Sequence, residues 1–197
     1  MKPSRLGGDG NALWPEHPYA RAIERRGRSL RERLQLQDLD PLDPRALIGT
    51  FDHMVVESVH AAVPHTHEGA RLVEEAGNRW WAAAYREGDG PWLILYNPLQ
   101  TTTRLHASLM EEVAHIVLEH KPCTISVDPI LGVPRRTYRR SQENEAYGVG
   151  AASLVPFAGL VRLHRNGLSN AHISEQYGVS EELVRFRMNI TRAASAI

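Results

Sequence analysis

The spacing of apolar residues along the chain predicts a mostly helical protein with one small sheet. Apolar positions that recur every three or four residues indicate helices, and they follow this spacing over four long segments. The predicted helices are 18–36, 102–120, 141–155 and 157–165, with a further short helix after Pro44. The fold class expected from this pattern is α+β.

Strand and turn signals are confined to the middle and the end of the chain. Residues 53–59 form one strand candidate, and two apolar runs flank the turn at 87–90, whose "DG" pair is typical of a hairpin. We therefore expect a small antiparallel sheet. Near the end, Ser169 and Ser180 are predicted N-caps of two helices, with Gly178 at the turn between them.

Composition narrows the function classes. Lys and Arg total 23, Asp and Glu total 23, and the formal net charge is zero, which argues against a dominant nucleic-acid or membrane-surface role. The chain has one cysteine, no apolar run of the roughly 18 residues that a membrane span needs, and no apolar core typical of a signal peptide near its start. These features predict a cytoplasmic protein.

The predicted helix at 102–120 is apolar on nearly every side and carries one polar strip about 100° wide. Such a helix is typical of a protein interior. The strip gathers three carboxylates and an imidazole, which is favourable only if something compensates the like charges or if water solvates them. Both a cation site and a solvated acidic face are consistent with it. The strip comprises Arg104, Ser108, Glu111, Glu112, His115 and Glu119.

Within this strip, "EEVAH" has the spacing of the H-E-x-x-H signature of zinc proteases, with Glu111 in the first position. Glu111 and His115 are four residues apart, so both side chains reach one point above the helix. Glu112 is offset by one residue and lies beside that point, which is the position of the general base in the H-E-x-x-H arrangement. Any third ligand has to come from another element.

The next helix offers candidates for that ligand. Its first turn carries Glu143 and Glu145, and a run of Ala and Gly follows, which allows close approach to a neighbouring helix. A carboxylate in this turn can then reach the polar strip. Alternatively, the acidic first turn is exposed and stabilised by the helix dipole.

These two segments together resemble the ImmA/IrrE family of bacterial metallo-endopeptidases. In that family the first helix commonly reads R-x-R-F-T-L-A-H-E-L-G-H, and the second reads E-x-E-A-x-x-F-A-A-x-L-L-M-P. The corresponding segments here are "RLHASLMEEVAHIVLEH" and "ENEAYGVGAASLVP". The resemblance extends over residues 36–191. It implies a zincin-like domain, that is, a minimal metallopeptidase fold, followed by a C-terminal helical subdomain resembling a helix-turn-helix.

The resemblance also implies roles for individual residues. It makes His115 and Glu145 metal ligands, Glu145 being as far from Pro156 as the family's third ligand is from its proline, and it makes Glu112 the general base. Glu111 departs from the family by replacing the first ligand histidine. A set of one imidazole and two carboxylates binds Zn²⁺ and favours Mn²⁺ as an alternative. Three further residues are possible auxiliaries: Glu143, Glu119 and His120.

The predicted organisation is a flexible N-terminus at 1–16, a zincin-like domain at 17–156 and a helical subdomain at 157–197. By resemblance, the expected function is a metal-dependent endopeptidase-like regulator that acts on a helix-turn-helix transcriptional repressor, in bacterial stress response or mobile-element control. Two alternatives stay open. One is a catalytically inactive relative that binds a protein partner through the same cleft. The other is a DNA-binding regulator that uses the terminal helix pair.

Overall fold

The computed structural model of the chain describes residues 13–62, 81–121 and 139–193, together with the backbone of two short strands at 124–127 and 134–137. Residues 1–12 of the predicted N-terminal segment lie outside the described part. The described helices are α1 (Pro18–Glu32), α2 (Pro44–Ile48), α3 (Val59–Ala62), α4 (Thr102–Val117), α5 (Arg140–Leu154), α6 (Phe157–Arg165), α7 (Asn170–Tyr177) and α8 (Glu181–Thr191). The described strands are β1 (Met54–Ser58), β2 (Ala82–Arg86), β3 (Trp92–Tyr96), β4 (Thr124–Val127) and β5 (Pro134–Thr137).

The main sheet is mixed, which corrects the predicted antiparallel sheet. The order of its strands is β1-β3-β2, with β2 antiparallel to β3 and β1 parallel to β3. The hairpin is as predicted, and Gly88 adopts a positive φ of 53° in its turn. The parallel pairing joins β1 to β3, which are distant in sequence, and no turn motif in the sequence predicts such a pairing. The other two strands, β4 and β5, pair antiparallel in a separate ribbon.

Helix α4 is central because it packs against the sheet on one side and against α5 on another. Thr101 caps its N-terminus by accepting a hydrogen bond from the backbone N–H of Arg104. Its central apolar residues are fully buried, as expected for an interior helix: Leu109, Met110, Val113 and Ala114 each have 0% exposure. The polar strip therefore lies on the one side of α4 that the core leaves open.

Helix α5 lies between α1 and α4, and its small residues make both contacts close. A Cβ added at Gly150 would lie 3.0 Å from the backbone carbonyl of Met110 on α4. On the opposite side, a Cβ added at Gly27 of α1 would lie 2.8 Å from the Cβ of Ala152 on α5. The predicted close approach of α5 to a neighbour is thus confirmed on two faces.

A buried ion pair ties the two ends of the described chain together. Glu24 of α1 pairs with Arg187 of α8, and these two residues are 5% and 1% exposed. The second carboxylate oxygen of Glu24 accepts a 2.6 Å hydrogen bond from the backbone N–H of Phe157 at the start of α6. Both carboxylate oxygens of Glu24 thus accept hydrogen bonds, as burial of a charged group requires.

The terminal helices α7 and α8 form the predicted helix pair. Ser169 and Ser180 cap them, and Gly178 ends α7 in the left-handed conformation with φ 63° and ψ 38°. Within the described residues, no single helix is long and apolar enough to cross a membrane. The consecutive helices α5 and α6 meet such a criterion only when taken together, across a bend of 53°.

Candidate metal centre

The open side of α4 presents Glu111, Glu112 and His115 at the junction with α5 and β2. Glu111 and His115 are one helical turn apart, so their ligand atoms lie on the same side of the helix. Both side chains are half-buried. The backbone of α4 is held rigid by its buried apolar face, and this fixes where the two ligand atoms can lie.

The third member of the cluster is Glu143, in the first turn of α5. One ligand atom each from Glu111, His115 and Glu143 lie within 4.8 Å of one another. Nε2 of His115 lies 3.7 Å from Oε2 of Glu143. Among the described residues, this is the group of acidic and histidine side chains with the geometry of a metal site.

Glu145, which the resemblance makes the third ligand, lies outside this group. Its carboxylate forms an ion pair with Arg26 of α1, and its Oε2 is 3.4 Å from Nε2 of His120. Glu143 and Glu145 are two residues apart, so they are separated by about 200° around α5 and only one can face α4. The structure gives that position to Glu143, which the sequence suggested only as an auxiliary.

Glu112 lies beside the cluster and contacts the edge of the sheet. Its Oε2 accepts a 2.9 Å hydrogen bond from the backbone N–H of Ala84 in β2. Among the described strands β2 lies at the edge of the sheet, and this N–H donates to Glu112. The predicted general base is therefore held at the open edge of the sheet, next to the candidate metal ligands.

The carboxyl group of Glu111 is perturbed by its half-buried position and by the neighbouring acids. The pKa of Glu111 is raised from 4.5 to about 7. Burial is the largest cause, and the negative charges of Glu112 and Glu143 add to it. The guanidinium of Arg104, earlier on the same helix, opposes this rise. A bound cation would favour the charged carboxylate, and the metal-free site instead holds a proton near neutral pH.

His120 folds back onto His115 just beyond the end of α4. The residue before it, Glu119, has a positive φ of 52°, which reverses the chain after the helix. The two rings meet edge to face with centroids 5.0 Å apart, and their Nδ1 atoms are 3.1 Å apart. Burial lowers the pKa of both imidazoles, and the neighbouring His115 lowers that of His120 further. The side chain of Glu119 is exposed and belongs to no metal-like group in the described chain.

Aromatic side chains border the cluster on two sides. Tyr147 follows Glu143 by one turn of α5, and its ring packs edge to face on Phe186 of α8, with centroids 4.8 Å apart. Burial raises the pKa of the Tyr147 hydroxyl, and so does the nearby charge of Glu111. At the start of α4, the guanidinium of Arg104 lies 4.6 Å from the ring centroid of Trp81, just before β2.

The donor set fits a divalent cation. Tetrahedral zinc binds nitrogen and oxygen ligands at about 2.0–2.2 Å, which places them about 3.3 Å from one another. The separation of 3.7 Å between His115 and Glu143 is close to this value, and all three ligand atoms lie within 4.8 Å of one another. Two carboxylates beside one imidazole also suit Mn²⁺.

In this α+β fold a buried helix presents E-E-x-x-H beside an edge strand, and an acidic turn of a second helix lies opposite. This arrangement is that of a metallopeptidase-like centre of the zincin type. The family model of the IrrE N-terminal-like domain, peptidase family M78, matches residues 67–189. This match covers more than half of the 197 residues, and the chain belongs to the ImmA/IrrE family. No curated protein and no solved structure matches the chain at a significant level.

Sequence reasoning missed two residues that contact the site. Arg26 lies in an arginine-rich helix that precedes the matched region, and no motif links it to Glu145. Tyr147 carried a signal that could have been used, because it follows Glu143 by four residues and must therefore face α4 as well.

Proposed function

We propose that the chain is a divalent-metal-dependent endopeptidase-like protein with a regulatory role. The observation that carries this proposal is the convergence of Glu111, His115 and Glu143 within 4.8 Å, with Glu112 beside them. Family membership supports a metallopeptidase-like protein, and the site geometry adds the residues that would do the chemistry.

In this proposal Glu111, His115 and Glu143 hold the cation, with Zn²⁺ or Mn²⁺ as the candidates. The cation would supply Lewis acidity that polarises a peptide carbonyl and activates a water molecule. Two carboxylates lower that acidity compared with two imidazoles, which favours a slower enzyme with looser metal selectivity.

Glu112 is the proposed general base. Its Oε2 accepts a hydrogen bond from the N–H of Ala84, which holds the carboxylate beside the cluster. In this role the carboxylate would accept a proton from water and pass it to the leaving amine.

The open edge of β2 is the proposed docking site for the substrate backbone. Ala84 pairs with Ile94 across the hairpin while its N–H points away from β3, so alternate backbone groups of β2 face outward. An extended peptide that adds to this edge would bring a peptide bond to Glu112. The peptide would displace or share the contact between Ala84 and Glu112.

The substrate we propose, following the family resemblance, is a helix-turn-helix transcriptional repressor. Direct DNA binding is disfavoured by the charges of α8. Arg187 is buried in its pair with Glu24, so it cannot reach a phosphate. Glu181 and Glu182 are exposed at the N-terminal end of α8, where a recognition helix contacts bases.

A second candidate function is binding of a protein partner without cleavage. The observation that favours it is the raised pKa of Glu111, about 7, because a protonated carboxyl is a poor metal ligand. Replacing this residue by histidine restores the ligand pattern common in the family and therefore separates the two candidates.

The test is a calorimetric titration of the metal-free protein with Zn²⁺ and with Mn²⁺, for the wild type and for Glu111→His. We expect the wild type to bind both metals, and Glu111→His to bind Zn²⁺ more tightly and with a higher Tm in its presence. Zinc binding by the variant alone, with neither metal bound by the wild type, would favour the non-catalytic candidate. Cleavage of a purified repressor, with Glu112→Gln as the inactive control, then tests the peptidase activity directly.

A further inference from the structure

A continuous chain of polar contacts leads from His115 away from the candidate metal centre to helix α1. Nδ1 of His115 is 3.1 Å from Nδ1 of His120. On the other side of that ring, Nε2 of His120 is 3.4 Å from Oε2 of Glu145. The remaining oxygen of Glu145 pairs with the guanidinium of Arg26. Three side chains, His120, Glu145 and Arg26, thus stand in line behind the proposed ligand His115.

The direction of each hydrogen bond follows from the last member. A carboxylate paired with a guanidinium is ionised and can only accept, so Nε2 of His120 must carry the proton that faces Glu145. A neutral imidazole has one N–H, so Nδ1 of His120 is then an acceptor. That atom accepts from Nδ1–H of His115, and the lone pair of the His115 ring is left on Nε2.

The lone pair on Nε2 of His115 is directed towards the cluster, because this atom is the one 3.7 Å from Glu143. In the opposite arrangement, His115 would carry its proton on Nε2 and donate it to Glu143 over this longer distance. It would also leave an unprotonated Nε2 of His120 facing the charged carboxylate of Glu145, 3.4 Å away. The first arrangement places a proton in the shorter contact with a carboxylate, at 3.4 Å, and leaves an unprotonated nitrogen facing a carboxylate only at the longer distance of 3.7 Å.

We propose that Arg26, Glu145 and His120 are positioning residues that hold His115 in its Nδ1–H tautomer and so aim its Nε2 lone pair at the metal position. The benefit to metal binding rests on the proposed function, whereas the tautomer itself is a property of the metal-free protein. Glu145 acts here through two imidazoles and is not a ligand. Arg26 belongs to α1, which precedes the family-matched residues 67–189, so the N-terminal helix is part of the working site.

Helix α1 is placed firmly enough to serve this purpose. Its Gly27 lies against Ala152 with no room for a side chain, directly after Arg26. Glu24, three residues before Gly27, is fixed by Arg187. These contacts set the position of α1 along α5. The backbone of Arg26 is therefore already placed near Glu145, and only the side chain of Arg26 has to be ordered to form the ion pair.

The test is long-range ¹H–¹⁵N correlation NMR of the metal-free full chain, labelled at histidine, at pH 8. Spectra of His115→Ala and His120→Ala assign the two rings. We expect the wild type to show a protonated Nδ1 at His115 and a protonated Nε2 at His120. A wild-type spectrum with the proton of His115 on Nε2 overturns the proposal.

The variants then test which residues impose the tautomer. Glu145→Ala should move the proton of His115 to Nε2, and Arg26→Ala should do so for part of the population. Arg26→Lys should recover the wild-type pattern because it restores a cation beside Glu145. Arg25→Ala, at an exposed position on the same helix, is the matched control and should change nothing. An unchanged His115 tautomer in Glu145→Ala contradicts the proposed chain.

Zinc titration of the same proteins separates this inference from the proposed function. Loss of such an outer partner typically lowers metal affinity 10- to 100-fold, and we expect about this loss for Glu145→Ala. If the wild type binds no zinc while its NMR spectrum shows the expected tautomers, the metal-dependent function fails and the positioning chain stands. If zinc affinity and tautomer are both unchanged in Glu145→Ala, the positioning role is refuted even in a functional metalloprotein.

Discussion

Glu111 is the residue whose replacement tests the electrostatics of the site most directly. In the metal-free protein its pKa is raised from 4.5 to about 7, first by burial and then by the charges of Glu112 and Glu143. Glu111→Gln removes the charge and keeps the shape. We therefore expect the variant to be more stable than the wild type wherever the wild-type carboxyl is ionised.

The pH range follows from the two pKa values. The folded protein holds the proton up to about pH 7 while the unfolded chain releases it near 4.5. Stability from this group is therefore present below pH 4.5 and lost as the pH rises through 7. The advantage of Glu111→Gln should be small at pH 5, grow across this range and level off above pH 8.

The rise from 4.5 to about 7 corresponds to roughly 3 kcal/mol at full ionisation. Because the side chain is only half-buried, solvent screening reduces this, and we expect about 1–3 kcal/mol. For a chain of this size, that is a difference in Tm of about 2–12 °C. Burial lowers the pKa of His115 and His120 in both proteins, so comparing the two removes most of their contribution.

The assay is thermal unfolding of the metal-free wild type and Glu111→Gln between pH 5 and 8.5. Glu57→Gln, which removes a charge from an exposed position of β1, is the control and should run parallel to the wild type. Saturating Zn²⁺ should reverse the order at pH 8, because only the wild type offers the cation a third ligand. Parallel pH profiles for wild type and Glu111→Gln would refute the reasoning.

Three further changes test the base, the helix contact and the core. Glu112→Gln should abolish cleavage and leave zinc content unchanged, and loss of zinc by elemental analysis would instead make Glu112 a ligand. Gly150→Ala, whose new Cβ would meet the Met110 backbone at 3.0 Å, should lower the free energy of unfolding by about 1–3 kcal/mol and weaken zinc binding. Urea unfolding and a zinc titration measure the two effects. Gly49→Ala, whose Cβ would make an ordinary 3.5 Å contact, is the control and should show neither effect. Glu24→Ala should cost about 3–5 kcal/mol in urea unfolding, because it leaves a buried guanidinium unpaired, and a loss under 1 kcal/mol would contradict the pairing seen here.

Local patterns were sufficient for most secondary structure because each element carries its own boundary signals. The N-caps Ser169 and Ser180, the left-handed Gly178 and the turn before β3 all lie where sequence reasoning expected them. The parallel pairing of β1 with β3 was not predictable in this way. It depends on how the strands are arranged in three dimensions, and the sequence of β1 favours no particular partner.

The site was predictable to the level of a helix face and no further. Periodicity placed Glu111, Glu112 and His115 on one strip, and the structure keeps them there. The choice between Glu143 and Glu145 needed the rotation of α5 about its own axis, which the Gly150 contact with α4 and the Gly27 contact with Ala152 fix together. Counting residues to Pro156 measures distance along the helix and is blind to this rotation.

The same rotation explains why two acids in one turn serve different ends. With small residues on two opposite faces, α5 fits between α1 and α4 in one orientation, so Glu143 faces His115 directly and Glu145 faces Arg26. A guanidinium on the α1 side keeps Glu145 charged, and a charged Glu145 dictates the tautomer of His120. Helix α1 therefore contributes to the chemistry of His115 although it lies outside the family-matched segment. A search for metal ligands by motif alone would end at Glu111, Glu112 and His115 and leave this contribution out.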